Sequence, residues 1–423
     1  MSEGKGAGPV DVAVVGGGMV GMASALACLE RGLSVAVIDP GAIRDAASYG
    51  NAGVISRGSL FPMAAPGLTA RLPSYAFNRN PAIRIDYGSL LAVAPWLLAF
   101  LRRCNLAAFR EAAAALDPLC AASYDEHWRV AGEVGARDLI ARRGWLKLYR
   151  SEAAFAASAL EREILDHYRV ETTVIDGPEL NPFEPALTRR FAKGLWFSTT
   201  GSVSDPGGLV QRYEKAVAAR GGRIHAARVT ALSASDAEAA VTLEGGGAIA
   251  AGTVVLAAGA ASGALARTLG YRLPLAAERG YHRHFADAGQ HKLSRPIYDT
   301  GGGYVVSPMA AGLRLLSGVE LARHGAPPNP AQLAAVEPEA RGTLAFGDAL
   351  EPAPWGGSRP STPDGLPVIG RAPRHRRIVF AFGHGHIGLS TGPITGRLVA
   401  ELIAGAAPSV PVAPFGAERL LRG

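Results

Sequence analysis

A chain of 423 residues exceeds the ~250–300 residues at which single hydrophobic cores stop growing, so two domains are expected. Its 48% apolar and 19% charged residues provide ample material to bury and exclude an intrinsically disordered chain. The net charge of +7 comes from scattered basic residues with no nucleic-acid-binding motif beside them, which argues against nucleic acid as a partner.

The first residues, MSEGKGAGPV, hold no apolar stretch long enough for a signal peptide ahead of the first strand, and a cytoplasmic protein is expected. Asp11–Val15 reads as an apolar strand, followed by a Gly-rich turn, a helix to about Arg31, a stop at Gly32 and a second strand at Ser34–Ile38. Gly16, Gly18 and Gly21 form GxGxxG between strand and helix, and Asp39 ends the second strand. Such glycines permit a tight turn and let a pyrophosphate approach the amides of Met19, Val20 and Gly21 at the helix N-terminus, while the acid can bond ribose hydroxyls. The motif predicts a dinucleotide. By itself it does not separate NAD from FAD, although its place at the extreme N-terminus leans toward FAD.

Residues 86–175 change character, with alanine-rich helical patterns at Leu97–Ala115 and Glu152–Tyr168 that read as an inserted lobe. The apolar run Leu90 to Leu101 contains Pro95 and is too short for the roughly 20 residues a spanning helix needs. Asp205 can cap a helix with Pro206 at its first position and Gly221-Gly222 at its end, and strands follow at Arg223–Ala226 and Thr253–Ala257. The stretch 250–263, AAGTVVLAAGAASG, runs from a buried strand into small residues, where bulk at Ala258 or Gly259 would block a dinucleotide. From Leu273 to about Ala345 short alternating strands, including Gly303–Pro308 and Gly312–Gly318, predict an antiparallel sheet covering a ligand pocket. The tail returns to a strand at Ile378–Phe382, a Gly/His loop and a helix ending near Ala404. Just before that strand, Arg371, Arg374, His375, Arg376 and Arg377 read as a solvated turn and as a candidate contact for acidic lipid headgroups. Cys28, Cys104 and Cys120 lie far apart with no metal-ligand spacing, so a reducing compartment and no metal are expected.

The order of VAVVGGGMVGMASA, ASYGNAGVIS, SDPGGLV, VVLAAGAAS, LRLLSGVELA, RPSTPDGLPVIG and GHGHIGLSTGP resembles the glycine oxidase, sarcosine oxidase and D-amino-acid oxidase/dehydrogenase superfamily. The likeness is strongest to the bacterial D-amino-acid dehydrogenase branch and covers nearly the whole chain. It implies an α/β fold with a Rossmann-like FAD-binding domain, assembled from 1–85, 176–272 and 346–423. A discontinuous α+β substrate domain, from 86–175 and 273–345, would be built on the antiparallel sheet.

By the same resemblance Asp39 would hold the adenosine ribose and Val229 would meet adenine through its backbone. Ser48, Asn51 and Ala52 would lie along the flavin or pyrophosphate, with Tyr49 either packed against the ring system or purely structural. Gly383 to Gly388, which includes His384, Gly385, His386, Ile387 and Gly388, would pass the flavin's pyrimidine edge, and the next helix would point its N-terminus there. His384 would touch the flavin or orient the loop by hydrogen bonds to backbone. Ser48-Tyr49-Gly50-Asn51, aligned with one covalent attachment site of relatives, has neither His nor Cys, so FAD is expected to be noncovalent.

Arg359 stands where relatives carry the arginine that binds the substrate carboxylate, a task suited to a rigid two-pronged donor. Tyr304 would share that carboxylate. Arg279, Tyr281 and His282 mark the start of the substrate sheet with no role assigned. The resemblance implies oxidative deamination of a D-amino acid by hydride transfer from Cα to flavin N5, with electrons passed to a quinone or other acceptor. GHGHIGL and ERGYH are similar to members acting on D-proline or hydroxy-D-proline. A glycine- or sarcosine-type oxidase using oxygen, and a flavin-bearing subunit without independent activity, stand as alternatives. Peripheral contact with the inner membrane face is a further expectation; the sequence carries no reading of oligomeric state.

Overall fold

The computed structural model describes residues 9–41, 43–71, 75, 77–78 and 83–421. The segment read above as lacking a signal peptide lies mostly outside the described residues. Strands Arg223–Ala226, Val35–Asp39, Val10–Val15, Ala248–Leu256 and His375–Phe382 pair in parallel in that order. Antiparallel strands Ala239–Leu243, Val229–Ala234 and Val368–Ala372 complete this eight-stranded sheet. Both faces are covered, which explains the unbroken apolar run at the N-terminus. Val12 and Val14 pack beneath helices Met19–Glu30, Pro206–Ala219 and Gly392–Ile403, while Ala13 and Val15 face the opposite layer around Leu265 and Tyr271. The first and last of these helices cross closely because Gly396 has no side chain: an added Cβ would lie 2.4 Å from the Ala23 carbonyl carbon.

The second sheet has eleven strands around the long strand Ala276–Asp287, which pairs with Gly312–Leu316, Val319–Ala322, Phe346–Ala349 and Trp355–Ser361. It is mostly antiparallel, with parallel pairs where Ile297–Asp299 meets Trp145–Tyr149 and Val319–Ala322 meets Ile83–Ile85. A small sheet of Val54–Ile55, Gly201–Val203 and Ile140–Ala141 lies between distant parts of the sequence.

Three expectations need correction. The boundaries read from the sequence assign 1–85, 176–272 and 346–423 to the nucleotide-binding part, yet Ile83–Ile85, Lys193–Phe197, Phe346–Ala349 and Trp355–Ser361 join the eleven-stranded sheet. Strand pairing is nonlocal, and alternation within a strand does not name its partner. The helix expected over Leu97–Ala115 is two, Leu90–Arg102 and Leu106–Glu133, bent by 94° because the Asn105 side chain caps the second at Ala108 N. That second helix also leaves its expected lobe: Val130 and Ala131 enter the core beneath the Met19–Glu30 helix, and His127 Nε2 reaches Leu389 O at 2.8 Å. The pattern at Glu152–Tyr168 is likewise divided, into helices Glu152–Ala156 and Ala159–His167.

Candidate active site

The glycine turn sits at the carboxyl ends of the parallel strands. Gly16 adopts φ +112, and an added Cβ would lie 2.4 Å from Ala257 O; at Gly21 it would lie 1.8 Å from Gly16 O. Only glycine fits either place. Met22 N is the first amide bonded back into the helix, at Gly18 O, and Ser48 Oγ accepts from Met19 N at 3.0 Å. The Asp39 carboxylate accepts from Gly17 N at 2.7 Å and Gly41 N at 2.9 Å, which fixes it beside the turn. Ala227 N donates to Asp39 O, bringing the start of the Val229–Ala234 strand to the same end, and Ala258 and Gly259 follow the strand that touches Gly16. These residues fit a dinucleotide: a cradle that any Cβ would fill, helix-terminal amides and an adjacent acid.

Ser48, Asn51 and Ala52 bridge this turn to the second sheet. Arg314 donates to Tyr49 O at 2.9 Å and Asn51 O at 2.6 Å, and Ser307 Oγ donates to Ala52 O at 2.7 Å. Arg314 Nε also meets His284 Nε2 at 3.0 Å, and His284 Nδ1 pairs with Glu351. Burial holds the Arg314 guanidinium down at about 10 and lowers His284, whose pKa Arg314 depresses further. The sequence reading missed this chain of Glu351, His284 and Arg314, whose members come from three strand regions; only LRLLSGVELA had marked the neighbourhood.

The Gly383–Gly388 loop runs past the end of the Trp355–Ser361 strand, where His384 forms an isolated bridge with Ser361. His384 is buried, its Nε2 lies 3.0 Å from Thr395 Oγ1, and burial lowers its pKa to about 3. It ties the loop to the Gly392–Ile403 helix through a hydroxyl, not through backbone as expected. His386 turns its ring toward the second sheet, with Nε2 2.9 Å from Glu278 Oε2 and 3.1 Å from Met63 Sδ. A Cβ added at Gly385 would lie 3.3 Å from Ser361 Oγ and one at Gly388 3.3 Å from His384 Cβ, and Ile387 packs into the core beneath the loop.

Along Ala276–Asp287, Glu278, Gly280, His282 and His284 share the face turned to this loop. Arg359, opposite Glu278 in register, lays its guanidinium over Gly280, where an added Cβ would lie 2.2 Å from Nη2. Among the described residues Arg359 makes no hydrogen bond or ion pair, and its Nη1 is sealed from solvent. Burial lowers its pKa, and the Glu278 carboxylate opposes that. His282 stacks on Trp355 with ring centroids 4.8 Å apart and lies 6.0 Å from the Tyr49 ring.

Tyr304 requires a correction. Its hydroxyl donates to Asp299 Oδ2 at 2.9 Å and lies 2.7 Å from Thr343 Oγ1, and its ring packs with Val306, Leu315 and Val336 on the reverse face of the sheet. Strand alternation places Ser307, not Tyr304, toward the Asn51–Ala52 segment. Arg279 and Tyr281 also face away: Arg279 pairs with Glu320 at 2.8 Å and donates to Ala326 O and Pro327 O, while Tyr281 donates to Glu320. The basic cluster near 371–377 is engaged with protein carbonyls, Arg371 with Leu402 O, Arg374 with Gly270 O and Arg377 with Gly252 O. Among the described residues no group of three or more His, Cys, Asp or Glu could hold a metal ion, and no single helix is long and apolar enough to cross a membrane.

The chain is similar to known proteins in sequence and in fold. A D-amino-acid oxidase of Bradyrhizobium diazoefficiens is 35% identical over 97% of this chain and 99% of its own. A D-amino acid dehydrogenase of Cereibacter sphaeroides is 30% identical over 96% and 95%. In fold, the glycine oxidase of Geobacillus kaustophilus superposes with a TM-score of 0.78 at 21% identity, covering 97% of this chain and 99% of that one. The glycine turn, the acid beside it and the loop at the opposite sheet therefore fall in a known setting: residues 11–402 match the model of the DAO family of FAD-dependent oxidoreductases, and the chain belongs to that family.

Proposed function

We propose that this FAD-dependent amino-acid oxidoreductase oxidises D-amino acids at the Cα–N bond, with Arg359 as the clamp on the substrate carboxylate. The observation that carries the reading is the half-buried guanidinium of Arg359, which faces the loop of Gly383–Gly388 and whose sealed Nη1 has no partner among the described residues. A buried charge without a partner is costly, and a bidentate carboxylate supplies both the counter-charge and the missing hydrogen bonds. Bound FAD supplies the hydride acceptor. The glycine turn, Asp39, the backbone at 257–259 and the 383–388 loop are the residues that would hold it, noncovalently. Arg359 and the sheet behind it would orient Cα–H toward the acceptor, and the shielding of this face would keep water out. The amine reacts as the neutral base, so no side chain need abstract the α-proton. His384, held neutral by burial and bonded to Thr395, serves the shape of the loop.

Support for the D series comes from the two relatives above, whose names specify D-amino acids. A quinone or comparable acceptor and a peripheral contact with an anionic bilayer complete the proposal. The decisive experiment mixes the purified holoenzyme anaerobically with both enantiomers of an amino-acid panel, glycine and sarcosine, and follows loss of flavin absorbance. Fastest bleaching by D-amino acids is expected. Faster reduction by the L series, glycine or sarcosine would overturn the assignment, and peroxide formed on readmitting air at the rate of turnover would replace the quinone with oxygen.

A further inference from the structure

Buried imidazoles in folded proteins are nearly always hydrogen-bonded, because an unpaired buried polar group costs ~1–3 kcal/mol. His282 departs from that rule. It is 1% exposed, and neither Nδ1 nor Nε2 makes a hydrogen bond of ordinary geometry, although the Gly50 backbone approaches the ring. Its placement is otherwise well determined: the ring stacks on Trp355 at 22°, and Tyr49 and His284 flank it at centroid distances of 6.0 and 5.0 Å. Among the described residues Arg359 Nη1 is a second unpaired donor on this face. The Arg359 guanidinium lies over Gly280, and His282 follows two positions along the same strand and face, roughly 7 Å away. Two unpaired groups at that spacing match one small ligand with a carboxylate at one end and a polar group at the other.

We propose that His282 is a specificity-determining residue that hydrogen-bonds a hydroxyl on the substrate side chain, selecting hydroxylated D-amino acids over their unsubstituted analogues. This rests on the reading of Arg359 as the carboxylate clamp. The chemistry of the neighbours narrows the choice to a hydroxyl. Burial and the nearby charges of Arg314 and Arg359 hold the ring neutral, its pKa lowered to about 2, so it offers one donor and one acceptor. A hydroxyl answers either. An ammonium would meet the same two guanidinium charges. A carboxylate could use only the ring's single donor and would leave its acceptor nitrogen unpaired, and Arg314 is already engaged with Tyr49 O, Asn51 O and His284. Trp355 and Tyr49 supply apolar walls for the carbon skeleton between the two ends.

The test compares matched pairs, D-serine with D-alanine and 4-hydroxy-D-proline with D-proline, by anaerobic flavin reduction in the wild-type holoenzyme and in His282→Phe and His282→Gln. Wild type should favour at least one hydroxylated member by about tenfold or more in kcat/KM, the worth of one buried hydrogen bond. His282→Phe keeps the stacking on Trp355 and should abolish that ratio, with His282→Gln retaining part of it. Removing an unpaired buried group should also raise the melting temperature of His282→Phe measured without substrate, whereas a structural imidazole would lower it. A ratio unchanged by both substitutions overturns the inference while leaving the D-amino-acid reading intact. So does loss of FAD, or a shifted flavin spectrum in substrate-free His282→Phe, which would assign the ring to the cofactor. If no D-amino acid reduces the wild-type flavin, both readings fall together.

Discussion

Glu278 and Arg359 stand directly opposite each other in an antiparallel strand pair, yet they form no ion pair. Such cross-strand neighbours have Cβ atoms ~5 Å apart, close enough for contact. Instead Glu278 bonds His386, and Arg359 turns away over Gly280, so the carboxylate acts on the guanidinium only at a distance. Glu278 thereby offsets part of the charge that would attract a substrate carboxylate. Glu278→Gln keeps a hydrogen bond to His386 and removes that opposition, so binding of a carboxylate ligand should tighten by about 1 kcal/mol, roughly fivefold. The dissociation constant of a nonreactive carboxylate such as benzoate, read from flavin absorbance, checks this, and weaker binding in the variant would reassign Glu278 to a direct ligand contact.

Arg359→Ala should retain FAD and fold, because this side chain makes no hydrogen bond among the described residues. Loss of one partner of a desolvated charge pair costs about 2–5 kcal/mol, or roughly 30- to several thousand-fold in kcat/KM for amino acids. Arg359→Lys keeps the charge without the fork and should fall between. Wild-type rates of flavin reduction in Arg359→Ala would show that the clamp lies elsewhere.

What could be read from the sequence was local. Gly16, Gly21 and Asp39 lie within one βαβ unit, and the Asp205 cap, whose side chain accepts from Gly208 N, lies within one helical turn. Tyr304 shows where such reading ends: its strand was placed correctly, but the face it presents depends on which side the helix Ala331–Arg341 covers. Arg359 was singled out by its motif, yet its strand joins the other sheet through partners some 80 residues earlier in sequence. The group of Glu351, His284 and Arg314 exists only after three separate segments pair. Nonlocal register, not residue chemistry, was the missing information.

His127 predicts part of the acid sensitivity. Burial lowers its pKa from 6.5 to about 4, so between those values the folded protein binds fewer protons than the unfolded chain. Stability is therefore complete above pH ~6.5 and falls as the pH drops through that window, by about 2 kcal/mol at pH 5 from this residue. His127→Gln keeps a donor for Leu389 O and removes the titration. Urea midpoints at pH 7.5 and pH 5 should differ less in the variant than in wild type; equal differences would mean that His127 is not buried in its neutral form.

The cofactor predictions follow from the glycine turn and from Ser48-Tyr49-Gly50-Asn51, which offers no His or Cys for attachment. Acid precipitation should release free FAD into the supernatant, and colour held in the pellet would contradict noncovalent binding. Gly21→Ala forces a Cβ to within 1.8 Å of Gly16 O, so the turn must open. That variant should be purified largely colourless with a far-ultraviolet spectrum near that of wild type, whereas full FAD occupancy would mean that the turn is not the pyrophosphate site.

The helix Leu90–Arg102 carries the remaining proposal, contact with an anionic bilayer. Its buried face carries Val93, Trp96 and Phe100, of which Trp96 and Phe100 pack with Ala276, Val319 and Leu321, and Trp96 Nε1 donates to Ser361 O at 2.8 Å, two residues beyond Arg359. Its outer face presents Leu91 at 94% and Leu98 at 58% exposure, followed by Arg102 and, across the bend, Leu106 at 46%. The helix contains no acidic residue, so an apolar stripe ends in positive charge, the pattern of helices that lie in the headgroup plane. Inserting each leucine would gain about 1.5–3 kcal/mol at full burial, enough with the arginines for reversible binding. The protein should co-sediment with vesicles containing phosphatidylglycerol and much less with phosphatidylcholine alone. Leu91→Glu with Leu98→Glu should weaken that binding by about tenfold or more while sparing flavin reduction in solution. Because this helix buttresses the strand of Arg359, a bilayer there would bring a lipid-dissolved quinone near the site; equal partitioning of wild type and double variant would separate the acceptor from the membrane.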